Sequence, residues 1–220
     1  MFQTILFDLD GTITDPGIGI TNSVMYALKK QGIEAPPREE LYAFIGPPLR
    51  VSFEKFCGIT GEAFDRALHD YRENYLATGI YEAELIPGIR ELLLKLQSAG
   101  KTLIVATGKP LPMAEEVLRA FGVREFFSMV SGPDLTETIN IKKSDAIDFA
   151  LSSLGITANE HCIMIGDRDN DILGAKGAGV FSGGVLWGYG SRGELLGAGA
   201  DCIFESPAEL GEFLLQDPEA

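Results

Sequence analysis

The chain of 220 residues is poor in the side chains that build thiol and imidazole sites: three cysteines, two histidines and one tryptophan. Cys57, Cys162 and Cys202 have no short pair spacing. That argues against a disulfide framework or a thiolate zinc site and suits a reducing cytoplasm. Cys162 and Cys202 fall inside apolar runs and read as small core residues. His69 and His161 are isolated and read as a solvent-facing helix residue and a strand-edge residue. Basic residues are also scarce, 18 Lys and Arg against 32 Asp and Glu, for a net charge of −14. Nucleic acid polymers and anionic membranes bind through Lys and Arg, so neither is expected as a partner. A small anionic substrate remains compatible, since it needs only a few local cations. No stretch of about 18 apolar residues occurs, and the N-terminus lacks the basic start and long apolar region of a signal peptide. The expectation is a soluble cytoplasmic protein, monomeric or homodimeric.

Hydrophobic residues make up 45% of the chain, enough for a substantial core. The opening segment, MFQTILFDLDGT, raises a question. Thr4 to Phe7 read as a short buried strand, yet two aspartates follow at once, and burying a carboxylate without a partner is costly. From Gly88 onward the apolar pattern alternates between two periods. Ile89, Leu92, Leu93 and Leu96 mark a helix, then TLIVAT a strand ending at Thr107. Met113, Val117, Leu118 and Phe121 mark a helix, FFSMVSG a strand, and Ile147, Ala150, Leu151 and Leu154 another helix. HCIMIGD is a strand ending at Asp167, with a helix over 172–178. VFSGGVLW and DCIF follow as strands, and a last helix covers 208–215. Strands alternating with helices imply right-handed crossovers and a largely parallel sheet. Functional groups in such sheets gather at the carboxyl ends of the strands.

Residues 16–80 carry helical patterns and no convincing strand. Ile20, Val24, Ala27 and Leu28 form one face, and Phe64, Leu68, Tyr71 and Tyr75 another. The breaks EAPPRE and FIGPPLR punctuate short helices between them. LIPG, 85–88, is the expected return linker. The fold class is therefore α/β, a parallel-sheet Rossmann-like core over 1–15 and 81–220 with an all-helical cap domain inserted over 16–80.

Four groups line up at one edge of the inferred sheet: Asp8 with Asp10, Thr107, Lys143 at a helix start, and Asp167 with Asp171. Carboxylates clustered in this way need a cation, because like charges at close range force protonation. A hard divalent metal with oxygen ligands fits, and Mg2+ suits a few carboxylates plus waters and phosphate. Competing motifs fail. GDRDND begins like a calcium loop, but Ile172 stands where its glycine belongs and Ala178 where its glutamate belongs. TGKP lacks the upstream glycine and the final Ser or Thr of a nucleotide P-loop.

DLDGT at 8–12, the strand-end Thr107, a downstream lysine and GDRDND in this order resemble the haloacid dehalogenase superfamily of phosphohydrolases. The likeness runs from Phe7 to about Phe204, and the insertion after the first motif is similar to that family's helical cap. FIGPPL and GVLWGYGS resemble its phosphoglycolate phosphatase-like branch, some members of which act on nucleoside monophosphates. The resemblance implies Asp8 as a nucleophile forming an aspartyl-phosphate, and Asp10 as the acid and base that serves leaving group and water. It implies Mg2+ held by Asp8, the Asp10 carbonyl, Asp167 and Asp171. Thr107, Gly108 and Lys143 would bind the phosphoryl group with backbone N–H groups around Leu9 and Gly11. Lys143 is preferred to Lys142 because the following Ser-Asp-Ala-Ile aligns with the family's helix start; Asp169 reads as a solvated acid. In the cap, Phe44 and Arg50 of FIGPPLR are candidate substrate contacts, Arg50 for a second anionic group such as a carboxylate.

The expected activity is thus Mg2+-dependent hydrolysis of a small phosphorylated metabolite, with phosphoglycolate the leading substrate. Rival readings are a 5'-nucleotidase, a phosphomutase with the same aspartates, and a phospho-accepting signalling module. Dehalogenation is disfavoured by Asp10, which such enzymes lack.

Overall fold

The computed structural model describes residues 2–135 and 142–216. The chain forms two compact units, Met1–Thr14 with Leu85–Ala220, and Asp15–Glu84. The second unit is helical: α1 (Gly17–Lys30), α2 (Arg38–Leu41), α3 (Leu49–Cys57) and α4 (Gly61–Ala77), with short 3-10 turns. Its interior is built by Val24, Ala27, Leu28, Phe53, Phe64, Tyr71 and Tyr75, all buried. Where the chain crosses between units, β2 (Thr14–Asp15) and β3 (Glu84–Leu85) pair as a two-stranded ribbon. No sequence pattern announces these strands, because two residues carry no period.

The first unit is the alternating α/β fold that the two periods imply. Its strands are β1 (Thr4–Phe7), β4 (Thr102–Ala106), β5 (Met129–Ser131), β6 (Cys162–Gly166), β7 (Phe181–Val185) and β8 (Cys202–Phe204). They pair in parallel in the order β5-β4-β1-β6-β7-β8. The helices are α5 (Ile89–Ser98), α6 (Leu111–Ala120), α7 (Lys143–Ser153), α8 (Asp169–Ala178), α9 (Arg192–Ala198) and α10 (Pro207–Leu215). β1 is buried along its whole length between β4 and β6. A parallel strand covered on both faces reads as an unbroken apolar run, and TILF is one.

Side chains alternate across the sheet. Leu6, Ile104 and Met164 point to one face and pack on Ile147, Ala150 and Leu151 of α7 and Ala175 and Ala178 of α8. Register then fixes the site, since Phe7 lies beside Val105 on one side and Ile165 on the other. Asp8, one residue on, and Thr107 and Asp167, two residues on and just past the ends of β4 and β6, therefore emerge at the same carboxyl edge. β4 and β5 extend the sheet on one side of β1 and β6 to β8 on the other, and in open α/β sheets the carboxyl edge at such a reversal is where ligands bind.

Helical phase decides the rest. In α7 the buried residues are Lys143, Ala146, Ile147, Ala150 and Leu151, spaced as one helix face, so the Lys143 stem runs along the apolar side. In α8 the buried face carries Asp171 together with Ile172, Ala175 and Ala178. The helices approach closely at Gly174, where a Cβ would lie 2.5 Å from Cγ of Lys143. Alanine favours a helix over glycine by about 1 kcal/mol, whereas overpacking a filled interior costs about 1–3 kcal/mol. Gly174→Ala is accordingly expected to lower the free energy of unfolding by up to about 2 kcal/mol, the overpacking cost less the helix gain, measured by urea denaturation. A stabilising change would show that the Lys143 stem is not held against α8.

Candidate active site

Asp8 follows the last residue of β1, and its backbone N–H donates to the Ile165 carbonyl at 2.8 Å. This continues the sheet ladder by one residue and fixes the aspartate at the crevice. The Lys143 Nζ lies 2.7 Å from Asp8 Oδ1 and 2.8 Å from Asp171 Oδ1. It also donates to the Ala106 carbonyl at 3.2 Å, at the end of β4. One buried ammonium thus bridges β1, β4 and α8. Burial works to lower the Lys143 pKa, and the Asp171 and Asp8 carboxylates override it, so the group stays charged well above its ordinary range. Lys142, by contrast, caps the helix from an exposed position.

Asp167 is fully buried and accepts from both sides, from Thr12 Oγ1 at 3.3 Å and from the Tyr189 N–H at 2.8 Å. Trp187 in the same loop donates its indole N–H to the Thr12 carbonyl at 3.1 Å, tying this loop to the first turn. Asp171 accepts from the Arg168 N–H at 3.0 Å. The aspartate at the third helical position so satisfies an orphan N–H at the start of α8 while its other oxygen meets Lys143. Gly11 has φ 81°, and a Cβ there would collide with the Asp167 carboxylate. Glycine is required at position 11 for both reasons.

The remaining candidates divide. Thr107 is buried, donates its N–H to the Ser131 carbonyl at 2.9 Å, and accepts at Oγ1 from the Lys109 N–H at 3.1 Å. Gly108 beside it is exposed. Leu9 is buried and its carbonyl takes the N–H groups of Ile13 and Thr14. The Gly11 N–H donates to the Thr14 carbonyl at 2.7 Å. Asp10 forms an ion pair with Lys109, a partner that sequence reasoning passed over when TGKP failed as a P-loop. Thr12, Trp187 and Tyr189 were likewise unread, since only tertiary structure brings them to Asp167. Asp169 is exposed, and its N–H meets Glu194.

Phe44 and Arg50 belong to the helical unit. The Phe44 ring is buried edge-on to Phe53, with centroids 5.2 Å apart. Arg50 lies over the Phe64 ring at 4.1 Å and 3.7 Å from Asp65, with most of its side chain exposed.

Asp8, Asp167 and Asp171 bring carboxylate oxygens within 4.8 Å of one another, all buried. One lysine offsets one of three charges. Burial, together with the charges of Asp171 and Asp8, pushes Asp167 up to about 8, and burial pushes Asp171 up to about 6 against the pull of Lys143. An all-oxygen, electron-rich, dry donor set of this kind fits a hard divalent cation.

Comparison with known proteins places the chain in one family. The model of the haloacid dehalogenase-like hydrolase family matches residues 5–185. The chain is 45% identical to a 5'-nucleotidase of Pseudomonas aeruginosa, over 88% of this chain and 87% of that protein. It is 37% identical to the tyrosine-protein kinase PtkA of Mycobacterium tuberculosis, over 86% of this chain but only 63% of that protein. It is 31% identical to a phosphoglycolate phosphatase of Vibrio cholerae, over 97% of each. The crystal structure of a predicted phosphatase from Clostridium acetobutylicum superposes with TM-score 0.93 at 38% identity, covering 98% of this chain and 99% of that one. The chain belongs to the haloacid dehalogenase-like hydrolases, and within them it is a phosphatase. Among the described residues no helix is long and apolar enough to cross a membrane.

The raised Asp167 value carries a stability consequence. Between the ordinary 3.8 and about 8, the folded state holds a proton that the unfolded chain has released. Raising pH through that window therefore favours unfolding. In chelator, the stability of wild type minus that of Asp167→Asn is expected to fall with pH, by up to about 1.4 kcal/mol per unit. A difference that is flat or rises with pH would contradict the buried, cation-free cluster.

Proposed function

We propose that the protein hydrolyses phosphomonoesters of small metabolites through an aspartyl-phosphate at Asp8. The observation that carries this reading is the Asp8 carboxylate, fixed at the end of the central strand against a buried ammonium. A nucleophile so placed is desolvated, oriented and kept from drifting. One Asp8 oxygen attacks phosphorus, and the ester oxygen leaves with a proton from Asp10. Asp10 then takes a proton from the water that releases phosphate. Thr107 and Lys143 hold the transferring oxygens and offset charge as the bonds change. Mg2+ is the cation we assign to Asp8, Asp167, Asp171 and the Asp10 carbonyl; when bound it supplies charge neutralisation for the phosphoryl group.

The helical insertion, residues 16–80, is proposed as a cap whose side chains select the rest of the substrate, with Arg50 offered for a second anionic group. Phosphoglycolate fits that charge. Nucleoside monophosphates are the second reading, favoured by the 45% identity to a 5'-nucleotidase. A panel of both classes, assayed with and without Mg2+, separates them, and repeated turnover separates an enzyme from a phospho-accepting module.

Asp8→Asn tests the core of the proposal. Given the acceleration that phosphomonoester hydrolysis demands, kcat should fall by on the order of 10⁴ or more while the fold and phosphate-analogue binding persist. Retention of a tenth of wild-type kcat would remove Asp8 from the nucleophile's role. Asp167→Ala should raise the Mg2+ requirement, and full activity in excess chelator would refute the metal.

A further inference from the structure

Lys109 stands at a junction that the reading above leaves unused. Its side chain is nearly as buried as the core, 7% exposed, and its Nζ pairs with Asp10 Oδ2. The other Asp10 oxygen, Oδ1, is buried and has no hydrogen-bond partner among the described residues. An unpartnered buried carboxylate oxygen is costly unless a ligand's oxygen or a solvent molecule meets it. The backbone of the same lysine donates to Thr107 Oγ1 at 3.1 Å. That bond occupies the hydroxyl as an acceptor and leaves its proton to be given to something else. One residue thus fixes two groups that arrive from different strands, Asp10 after β1 and Thr107 after β4.

We infer that Lys109 is a positioning residue that locks the Asp10 carboxyl by Oδ2, so that Oδ1 is the oxygen that delivers the proton to the leaving group. The inference rests on Asp10 acting as proposed above. The step is a transfer in which the Asp8 oxygen–phosphorus bond forms and the phosphorus–ester oxygen bond breaks. The proton on Asp10 Oδ1 moves to the departing ester oxygen, and Asp10 is left as a carboxylate paired with Lys109. Without the lysine, Asp10 can rotate and present either oxygen, or neither, to the ester. The loss then falls on substrates whose leaving group needs the proton. A nitrophenolate departs without protonation, whereas an alkoxide does not.

The test is a leaving-group series on the Mg2+-loaded enzyme, running from 4-nitrophenyl phosphate through phenyl phosphate to an alkyl phosphate. Lys109→Met should lower kcat/KM for the alkyl ester by on the order of 100-fold, the lower bound for positioned proton transfer, and leave nitrophenyl phosphate within a few-fold. Lys109→Arg, which keeps a cationic donor of similar reach, should restore much of the alkyl activity and guards against misfolding of the methionine variant. Asp10→Asn is run beside them. If Asp10→Asn steepens the leaving-group dependence and Lys109→Met lowers all substrates equally, Lys109 only binds phosphate or supports the fold, and the inference is overturned. If Asp10→Asn itself shows no steepening, the acid role of Asp10 fails first and takes the inference with it.

Discussion

One buried ammonium holds the site together. Lys143 Nζ reaches Asp8, Asp171 and the Ala106 carbonyl at hydrogen-bonding distances, and these come from β1, α8 and β4. Removing its charge would leave three buried carboxylates facing one another without compensation, a state far more costly than the intact cluster. The surrounding architecture follows from that requirement. α7 must present Lys143 on its apolar face, α8 must present Asp171 on its own, and Gly174 must lack a side chain so that the two helices can approach.

The anchoring is redundant around Asp167 and sparse around Asp10. Thr12, Tyr189 and, through Thr12, Trp187 all converge on Asp167, so the loop after β7 and the turn after β1 are stitched at a single carboxylate. The cation role proposed for Asp167 rests on that fixed placement. The proton transfer proposed for Asp10 rests on one oxygen paired with Lys109 and the other without a hydrogen-bond partner among the described residues. The same edge of the sheet thus gives the two aspartates different partners.

Much of this was legible in the sequence. The strand ends at Asp8, Thr107 and Asp167 could be found because fully buried parallel strands leave continuous apolar runs that stop abruptly at a polar residue. Lys143 is separated from Lys142 in the sequence only by likeness, and the structure adds phase, since Lys143 shares the buried face of α7 with Ile147 and Ala150. Lys109 was out of reach. Its partner lies 99 positions away, and TGKP gives no local signal that the lysine turns back towards Asp10. The surroundings of Gly11 are hidden for a related reason, because the need for glycine at the turn is visible but the bond from its N–H to the Thr14 carbonyl is not. Phe44 illustrates a third limit: an aromatic beside Gly-Pro-Pro looks like a binding element in sequence, and only packing shows the ring among Phe53 and Phe56.

The chemistry attributed to this edge of the sheet turns on whether phosphorus is ever bonded to the protein. Acid quenching during steady-state turnover, followed by peptide mass spectrometry, reads that directly. The account predicts a phosphoryl group on the N-terminal peptide, localised to Asp8 by borohydride reduction of the acyl phosphate and missing in Asp8→Asn. Turnover at an undiminished rate with no phosphorylated peptide at any quench time, or a phosphoryl group on another residue, would contradict it.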